Sequence, residues 1–406
     1  MKTSMHAAVA LALLGFSSAH AVSAAPLFKP MQSQRLTRAD ATASPALAAL
    51  AASPFTAAVQ RVDAHPDAVH QDTLEMELFG TPVRAARDRV EALEDGTRIW
   101  YGQIGNGGVR AEHSRPHALD PENTVIVVRS GGSLTASVRH DGQLYTLSPT
   151  ADGHALVQVE EAHMPPDHPA GTGAAALPVP LPQVVPFSVA NRAGPTVIRV
   201  AVMATRTVRD VLGSDENVRN KVHLAVAESN QGYINSGIDL RLELGGLLYG
   251  AQGETNIGND LTGFIRQGDG RFDGIHDLRE RVGGDIPVLV TADGSACGVA
   301  SQGFVAVNHG CMVGYYTFAH EIGHVMGATH DIEAAPGNGY NHGYRHQPAQ
   351  GDRWRTILAY DCAGGCRRLN YYSSPNRYYN GAPMGDWRAD NTRTLKENKD
   401  RVAATR

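Results

Sequence analysis

The chain has 406 residues, a formal net charge of −5 at pH 7 and 42% hydrophobic residues, enough for about two or three domains with substantial buried cores. No run of lysine and arginine is longer than a pair, which argues against nucleic acid or an anionic membrane surface as a partner.

At the N-terminus stand Lys2, an apolar run over residues 7–16, and the small-residue triplets Ala19-His20-Ala21 and Val22-Ser23-Ala24. A charged start, a short apolar core and A-x-A-like sites make residues 1–24 a secretory signal peptide, cut after Ala21 or Ala24. The apolar run is too short to span a bilayer, and no later segment is apolar enough to do so. The expectation is a secreted monomer with no membrane partner.

Residues 26–66 are rich in alanine, serine and proline without a clear period and read as a loosely ordered lead. From Leu74 the period becomes two, with Leu74, Met76 and Leu78 followed by strands at 99–104, 124–128 and 134–138. Asp141-Gly142 suits a two-residue hairpin turn, since both positions tolerate positive φ. Residues 25–163 therefore predict a small, mostly antiparallel β domain. Residues 164–194 are proline-rich and poor in charge, a linker exposed to a processing protease, which makes the preceding domain a propeptide.

From residue 195 to 406 the pattern is strand, helix, strand. Residues 197–204 form an apolar run, Val218, Val222, Val226 and Tyr233 recur at helical spacing, and Leu240, Leu242 and Leu244 alternate. A short helix at 275–282 precedes strands at 286–291 and 304–308. The fold class is α+β (mixed α/β), a twisted mixed sheet carrying helices. The four cysteines, Cys297, Cys311, Cys362 and Cys366, all lie in this half. Export makes them disulfide partners. Of three possible pairings, short loops favour Cys297 with Cys311 and Cys362 with Cys366.

The stretch HEIGHVMGATHD, residues 320–331, concentrates three histidines and a glutamate. Residues four apart on a helix project from one face, so His320 and His324 can share a cation. Gly327 can end the helix in a left-handed conformation, and the chain can return to present His330. Three imidazoles with one open position suit a catalytic zinc rather than a structural one. Glu321 is then the general base for a water attacking a peptide carbonyl. A glutamate as third ligand is excluded because none occurs between Glu333 and Glu397. His342 and His346 lie in a loop-like stretch and read as surface or supporting residues.

HExxHxxGxxH is the metzincin signature, and Asp331 after it resembles the reprolysin-type branch. Residues 318–331 and 354–385 together are similar to the bacterial peptidyl-Asp metalloendopeptidases, over a region from about residue 197 to the end. The resemblance implies a metzincin-like catalytic domain, protein or peptide substrates cut on the amino side of aspartate, and zinc as cofactor, with calcium left open as a second cation. It also implies a methionine-bearing turn below the metal. Here residues 356–360 read TILAY, with Leu358 in place of methionine, a swap that packed sites tolerate for under about 1.5 kcal/mol. Tyr360 corresponds to a tyrosine that reaches the metal or the transition-state oxyanion, or else it packs. Arg355, Arg367 and Arg368 are candidates to receive the substrate aspartate, and residues 304–308 are the strand on which a substrate would pair.

Some metzincin precursors stay inactive through a propeptide cysteine on the zinc. None of the cysteines lies before Cys297. Asp167 or His168 could ligate instead, but both read more simply as residues of a proline-rich run, since bulk alone can mask the site. A catalytically inactive zinc-binding or adhesive protein on the same scaffold is the alternative, and the intact Glu321 argues against it.

Overall fold

The computed structural model describes residues 26–31, 44–105, 107–151, 153–169 and 194–406. The expected signal peptide and residues 170–193 of the expected linker lie outside them.

The N-terminal half comprises β1 (Phe28–Pro30), α1 (Pro45–Ala52), β2 (Thr56–Ala64), β3 (Thr73–Leu78), β4 (Thr81–Ala92), β5 (Arg98–Ile104), β6 (Thr124–Ser130), β7 (Ser133–His140), β8 (Gln143–Thr150) and β9 (Gly153–Val159). The strands form one nine-stranded antiparallel sheet in the order β1-β2-β9-β8-β7-β6-β5-β4-β3. The sheet curls until its ends meet, where the Leu27 N–H donates to the Glu75 carbonyl at 2.7 Å. Period two sorts the side chains as expected: Trp100, Val125 and Val127 fill the inside of the curl, while Tyr101, Ile126 and Val128 face the second half of the chain. The β7–β8 turn has positive φ at both Asp141 (49°) and Gly142 (79°).

The alanine-rich lead is more ordered than its composition suggests. Described residues 26–31 and 44–66 supply α1 and two strands. Strand β2 is covered on both faces, Val59 packing against Leu47 and Ala51 of α1 and Val62 against the inner core. Burial on both faces removes the alternation that betrays a half-exposed strand.

The second half comprises β10 (Thr196–Thr205), α2 (Arg206–Leu212), α3 (Asp215–Ser236), β11 (Leu240–Ala251), α4 (Ile257–Ile265), α5 (Gly274–Val282), β12 (Ile286–Thr291), β13 (Gly298–Ser301), β14 (Phe304–Asn308), α6 (Thr317–Val325) and α7 (Asn391–Val402). Its sheet runs β11-β10-β12-β14-β13, parallel except for the antiparallel edge strand β13. Strand β14 is therefore interior, flanked on both sides by β12 and β13, and the outer edge of the sheet belongs to β13, which corrects the expectation that a substrate pairs on residues 304–308. Helix α3 is capped by Ser214, which accepts from the Asn217 N–H at 3.1 Å, and closes at Gly237 with φ 68°. Both expected disulfides are present, Cys297–Cys311 and Cys362–Cys366.

The halves pack on each other through α3. Apolar contacts from Ile99, Tyr101, Leu119, Ile126 and Val128 join one core with Val222 and Val226. Polar ties surround them: Arg89 Nη1 donates to Gln231 Oε1 at 2.8 Å and the Leu119 N–H to Asn235 Oδ1 at 3.0 Å. Arg139, buried, crosses to the loop before α6, donating to the Gly314 carbonyl at 2.7 Å and the Tyr316 hydroxyl at 3.2 Å while pairing with Glu161 at 2.7 Å. Breaking a buried pair strands its partners, so Arg139→Ala should destabilise the full chain by about 3 kcal/mol in urea unfolding; a change within about 0.5 kcal/mol would contradict this packing role.

Candidate active site

Helix α6 carries His320, Glu321 and His324, all buried. It stops where Gly327 turns left-handed at φ 90°. The released Ala328 carbonyl then accepts from His324 Nδ1–H at 2.8 Å, and the Ile357 carbonyl accepts from His320 Nδ1–H at the same distance. A carbonyl can only accept, so each Nδ1 carries the proton of a neutral ring and each Nε2 presents a bare lone pair. Burial, with smaller contributions from neighbouring charges, pushes both imidazoles toward the neutral form, His324 down to about 3.

Those lone pairs converge. His324 Nε2 lies 3.1 Å from His320 Nε2 and 2.9 Å from His330 Nε2. The Nε2 atoms of His320 and His324, both unprotonated, repel at that distance unless a cation sits between them. Tetrahedral zinc with Zn–N of about 2.0–2.1 Å would hold its ligands about 3.3 Å apart, so the donor set fits the metal. His342 is buried behind His330, its Nδ1 3.1 Å from the His330 carbonyl oxygen, a supporting place. His346 stacks on Trp354, ring centroids 4.8 Å apart, and takes no part.

Glu321 lies beside this group and against β13. A Cβ on Gly298 would stand 2.7 Å from Glu321 Cγ and closer still to Oε1, so only glycine leaves room for the carboxylate. Burial raises the Glu321 pKa. Below the helix, Leu358 is buried, its Cδ2 3.0 Å from where a Cβ on Gly323 would lie: the leucine serves as the hydrophobic floor. Tyr360 follows, its ring 4.1 Å from that of His330. Its N–H donates to Asp331 Oδ2 at 3.0 Å, and Arg345 pairs with the other oxygen at 2.7 Å. Burial pushes the Tyr360 phenol up, so it remains a hydrogen-bond donor at neutral pH.

The arginine candidates divide. In a small three-stranded sheet Arg355 lies directly opposite Arg368, and the Cys362–Cys366 disulfide closes the loop between them. Both guanidinium groups are buried. Arg355 donates to the Tyr315 hydroxyl and the Ala359 carbonyl, each at 2.7 Å, and Arg368 lies over the Tyr315 ring at 4.3 Å. Arg367 instead points away, to Glu122 at 2.8 Å and to Asp352. A cavity of about 350 Å³ lined by Arg353, Arg355, Arg367 and Arg368 adjoins the pair.

Residues 164–169, expected as plain linker, enter this site. Cys297 N–H donates to the Pro166 carbonyl at 2.8 Å and Gly298 N–H to the Asp167 carbonyl at 3.0 Å, so the edge of β13 is already paired. Arg368 Nη2 reaches both Asp167 oxygens, at 2.8 and 2.7 Å, and Arg355 Nη1 lies 3.4 Å from Oδ2. Burial alone would raise the Asp167 pKa, but Arg368 and Arg355 outweigh it and hold the carboxyl below its usual range. His168 reaches Glu321 Oε1 at 3.2 Å and lies 3.3 Å from the Tyr360 hydroxyl. One nitrogen from each of His168, His320, His324 and His330 falls within a 4.8 Å cluster. The reading of Asp167 and His168 as mere linker residues is thus overturned. Proline content marks an extended segment but not where it docks. Gly298, Tyr315 and the Ile357 and Ala328 carbonyls had no sequence signal beyond proximity to motifs.

Residues 194–373 match the metallopeptidase family M12, the class of protein that this fold and site define. The peptidyl-Asp metalloendopeptidase of Stenotrophomonas maltophilia (strain R551-3) is 45% identical over 410 residues, covering 97% of each chain. That of Xanthomonas campestris pv. campestris is 40% identical over 423 residues, covering 99% of each. A solved metalloproteinase-II from Bacteroides fragilis overlays with a TM-score of 0.41 at 11% identity, over 82% of this chain and 91% of its own, too remote a likeness to carry weight. The chain belongs to the peptidyl-Asp metalloendopeptidase family and is a metalloendopeptidase, with a histidine cluster consistent with zinc.

Two substitutions test the site. Gly298→Ala should lower kcat for peptide hydrolysis at least 10-fold, because the added methyl displaces the Glu321 carboxylate, proposed below as a general base, a role worth roughly 10²–10⁴ in rate; unchanged kcat would remove Gly298 from the site. Leu358→Met should change stability by less than about 1.5 kcal/mol and leave kcat within about twofold, by thermal unfolding and peptide hydrolysis.

Proposed function

We propose that this chain is a secreted zinc endopeptidase that cuts peptide bonds on the amino side of aspartate and is made as a precursor, residues 25–163 being its propeptide. The observation that carries the reading is the convergence of three imidazole nitrogens, the Nε2 of His324 lying 3.1 Å from that of His320 and 2.9 Å from that of His330, beside a buried carboxylate. His320, His324 and His330 would hold the zinc, which when bound supplies Lewis acidity to a water and to the substrate carbonyl. Calcium, the second cation left open by the sequence, has no part in this reading.

Glu321 accepts the proton that the attacking water loses as its oxygen bonds to the carbonyl carbon. The same carboxyl returns that proton to the amide nitrogen as the C–N bond breaks, releasing an amine and a carboxylic acid. Tyr360 donates a hydrogen bond to the developing oxyanion. Support for the tyrosine comes from its protonated state and its place beside His330. The exposed edge of β13, once cleared of residues 166–167, offers backbone N–H groups to an extended substrate.

Aspartate preference rests on Arg355 and Arg368. They are buried, oriented by Tyr315 and already gripping a carboxylate, the behaviour required of a pocket that binds an acidic side chain. Secretion rests on the character of residues 1–24 and on two disulfides, which suit an oxidising compartment. The names of the relatives agree with both the metal dependence and the aspartate.

Glu321→Gln enzyme, freed of its N-terminal half by an added protease and assayed on casein, should lose at least 100-fold in rate while still binding zinc, since only the base is removed; activity equal to the wild type would remove Glu321 from the reaction. In Arg368→Gln, kcat/KM for Asp-containing peptides should fall roughly 100-fold, with much less change for the Asn analogue, because a buried charge-assisted grip is lost. Mass spectrometry of fragments from one denatured protein reads the same point, and cuts spread evenly over apolar residues would end the aspartate assignment.

A further inference from the structure

We infer that Asp167 and His168 form a two-pronged internal inhibitor, Asp167 filling the substrate-aspartate pocket and His168 acting as the fourth protein ligand of the metal. The inference rests on the zinc-endopeptidase reading above and adds to it how the precursor is kept inactive.

The two prongs are adjacent residues with opposite destinations. Asp167 is gripped by Arg368 and Arg355, the pair best placed to bind an acidic substrate side chain. His168 enters the histidine cluster, its ring centroid 4.5 Å from that of His330, 5.2 Å from His324 and 5.4 Å from His320. There it also covers the catalytic machinery, reaching Glu321 Oε1 at 3.2 Å and Tyr360 at 3.3 Å. A catalytic zinc needs one position free of protein ligands, and the His168 ring in that position excludes water.

The segment is built to hold this arrangement. Residues 165–169 read Pro-Pro-Asp-His-Pro. Proline fixes φ at 165, 166 and 169, and Pro169 also disfavours helical backbone at His168, so little entropy is lost when the segment docks. Met164 packs against Cys297, Cys311 and Tyr315, seating one end on the disulfide that bounds the edge strand. The Pro166 and Asp167 carbonyls are committed to the N–H groups of Cys297 and Gly298, at the start of β13. Neither is presented to the histidines as a cleavable bond, so the segment imitates an aspartate-bearing substrate without being cut.

Full-length Glu321→Gln chain, which cannot process itself, and the same chain with His168→Ala or His168→Gln would be loaded with zinc or cobalt(II). Losing His168 should change the visible cobalt(II) spectrum and speed zinc loss to a chelator at least 10-fold, in line with the 10–100-fold that supporting residues alone are worth. His163→Ala, at an exposed histidine outside the site, should alter neither. With Glu321 intact, uncut His168→Ala or Asp167→Ala chain should cleave a short Asp-containing peptide at least 10-fold faster than uncut wild type. Zinc that binds with the same spectrum and release rate with or without His168 would overturn the inference alone. Zinc that binds to none of the chains would overturn the endopeptidase reading with it.

Discussion

Three imidazoles aimed at one point are unstable company. His320 and His324 have their Nδ1 protons committed to carbonyls, so their remaining nitrogens have nothing to donate and face each other at 3.1 Å. Only a cation makes that arrangement favourable, and much of the catalytic half can be understood as the frame that enforces it. One carbonyl comes from the turn that ends α6, the other from the loop carrying Leu358. The two ties fix ring tautomer and orientation before any metal arrives, as outer partners do at metal sites.

The frame explains the placement of the other groups. The loop that supplies the Ile357 carbonyl continues into Leu358 below the helix and Tyr360 beside His330. Asp331, immediately after the third histidine, anchors that loop through the Tyr360 N–H. Arg355 stands just before the same loop and is joined to Arg368 in a small sheet, so the buried guanidinium pair and the carbonyl that orients His320 share one segment. The N-terminal half meets this half through an apolar centre that includes Val222 and Val226, ringed by polar side chains of α3 such as Asn217, Gln231 and Asn235.

Much of the centre was legible in the sequence because its chemistry is local. The spacing of His320 and His324 needs only helix geometry, Gly327 needs only its tolerance of positive φ, and Asp141-Gly142 announces its turn in two residues. Strand 73–78 shows its period because Glu75 and Glu77 alternate with buried Leu74, Met76 and Leu78, and 98–104 and 124–130, though covered on both faces, are marked by runs of β-branched and aromatic residues that β2 lacks. Strand β2 was missed because both its faces are covered, and α7 because its twelve residues hold only Leu395 and Val402 as apolar contacts. The edge strand β13 escaped notice for being four residues long, which moved the substrate-pairing edge to the wrong strand. Asp167 and His168 were hidden for a different reason: their partners lie more than 150 positions away, and no local rule reports a contact made across the fold.

The most direct test of the metal centre is a crystal structure of zinc-loaded protein with anomalous scattering recorded across the zinc edge. A single peak about 2.0–2.1 Å from Nε2 of His320, His324 and His330 is the expected result. Rings splayed apart around an empty site, or a peak elsewhere in the chain, would contradict it.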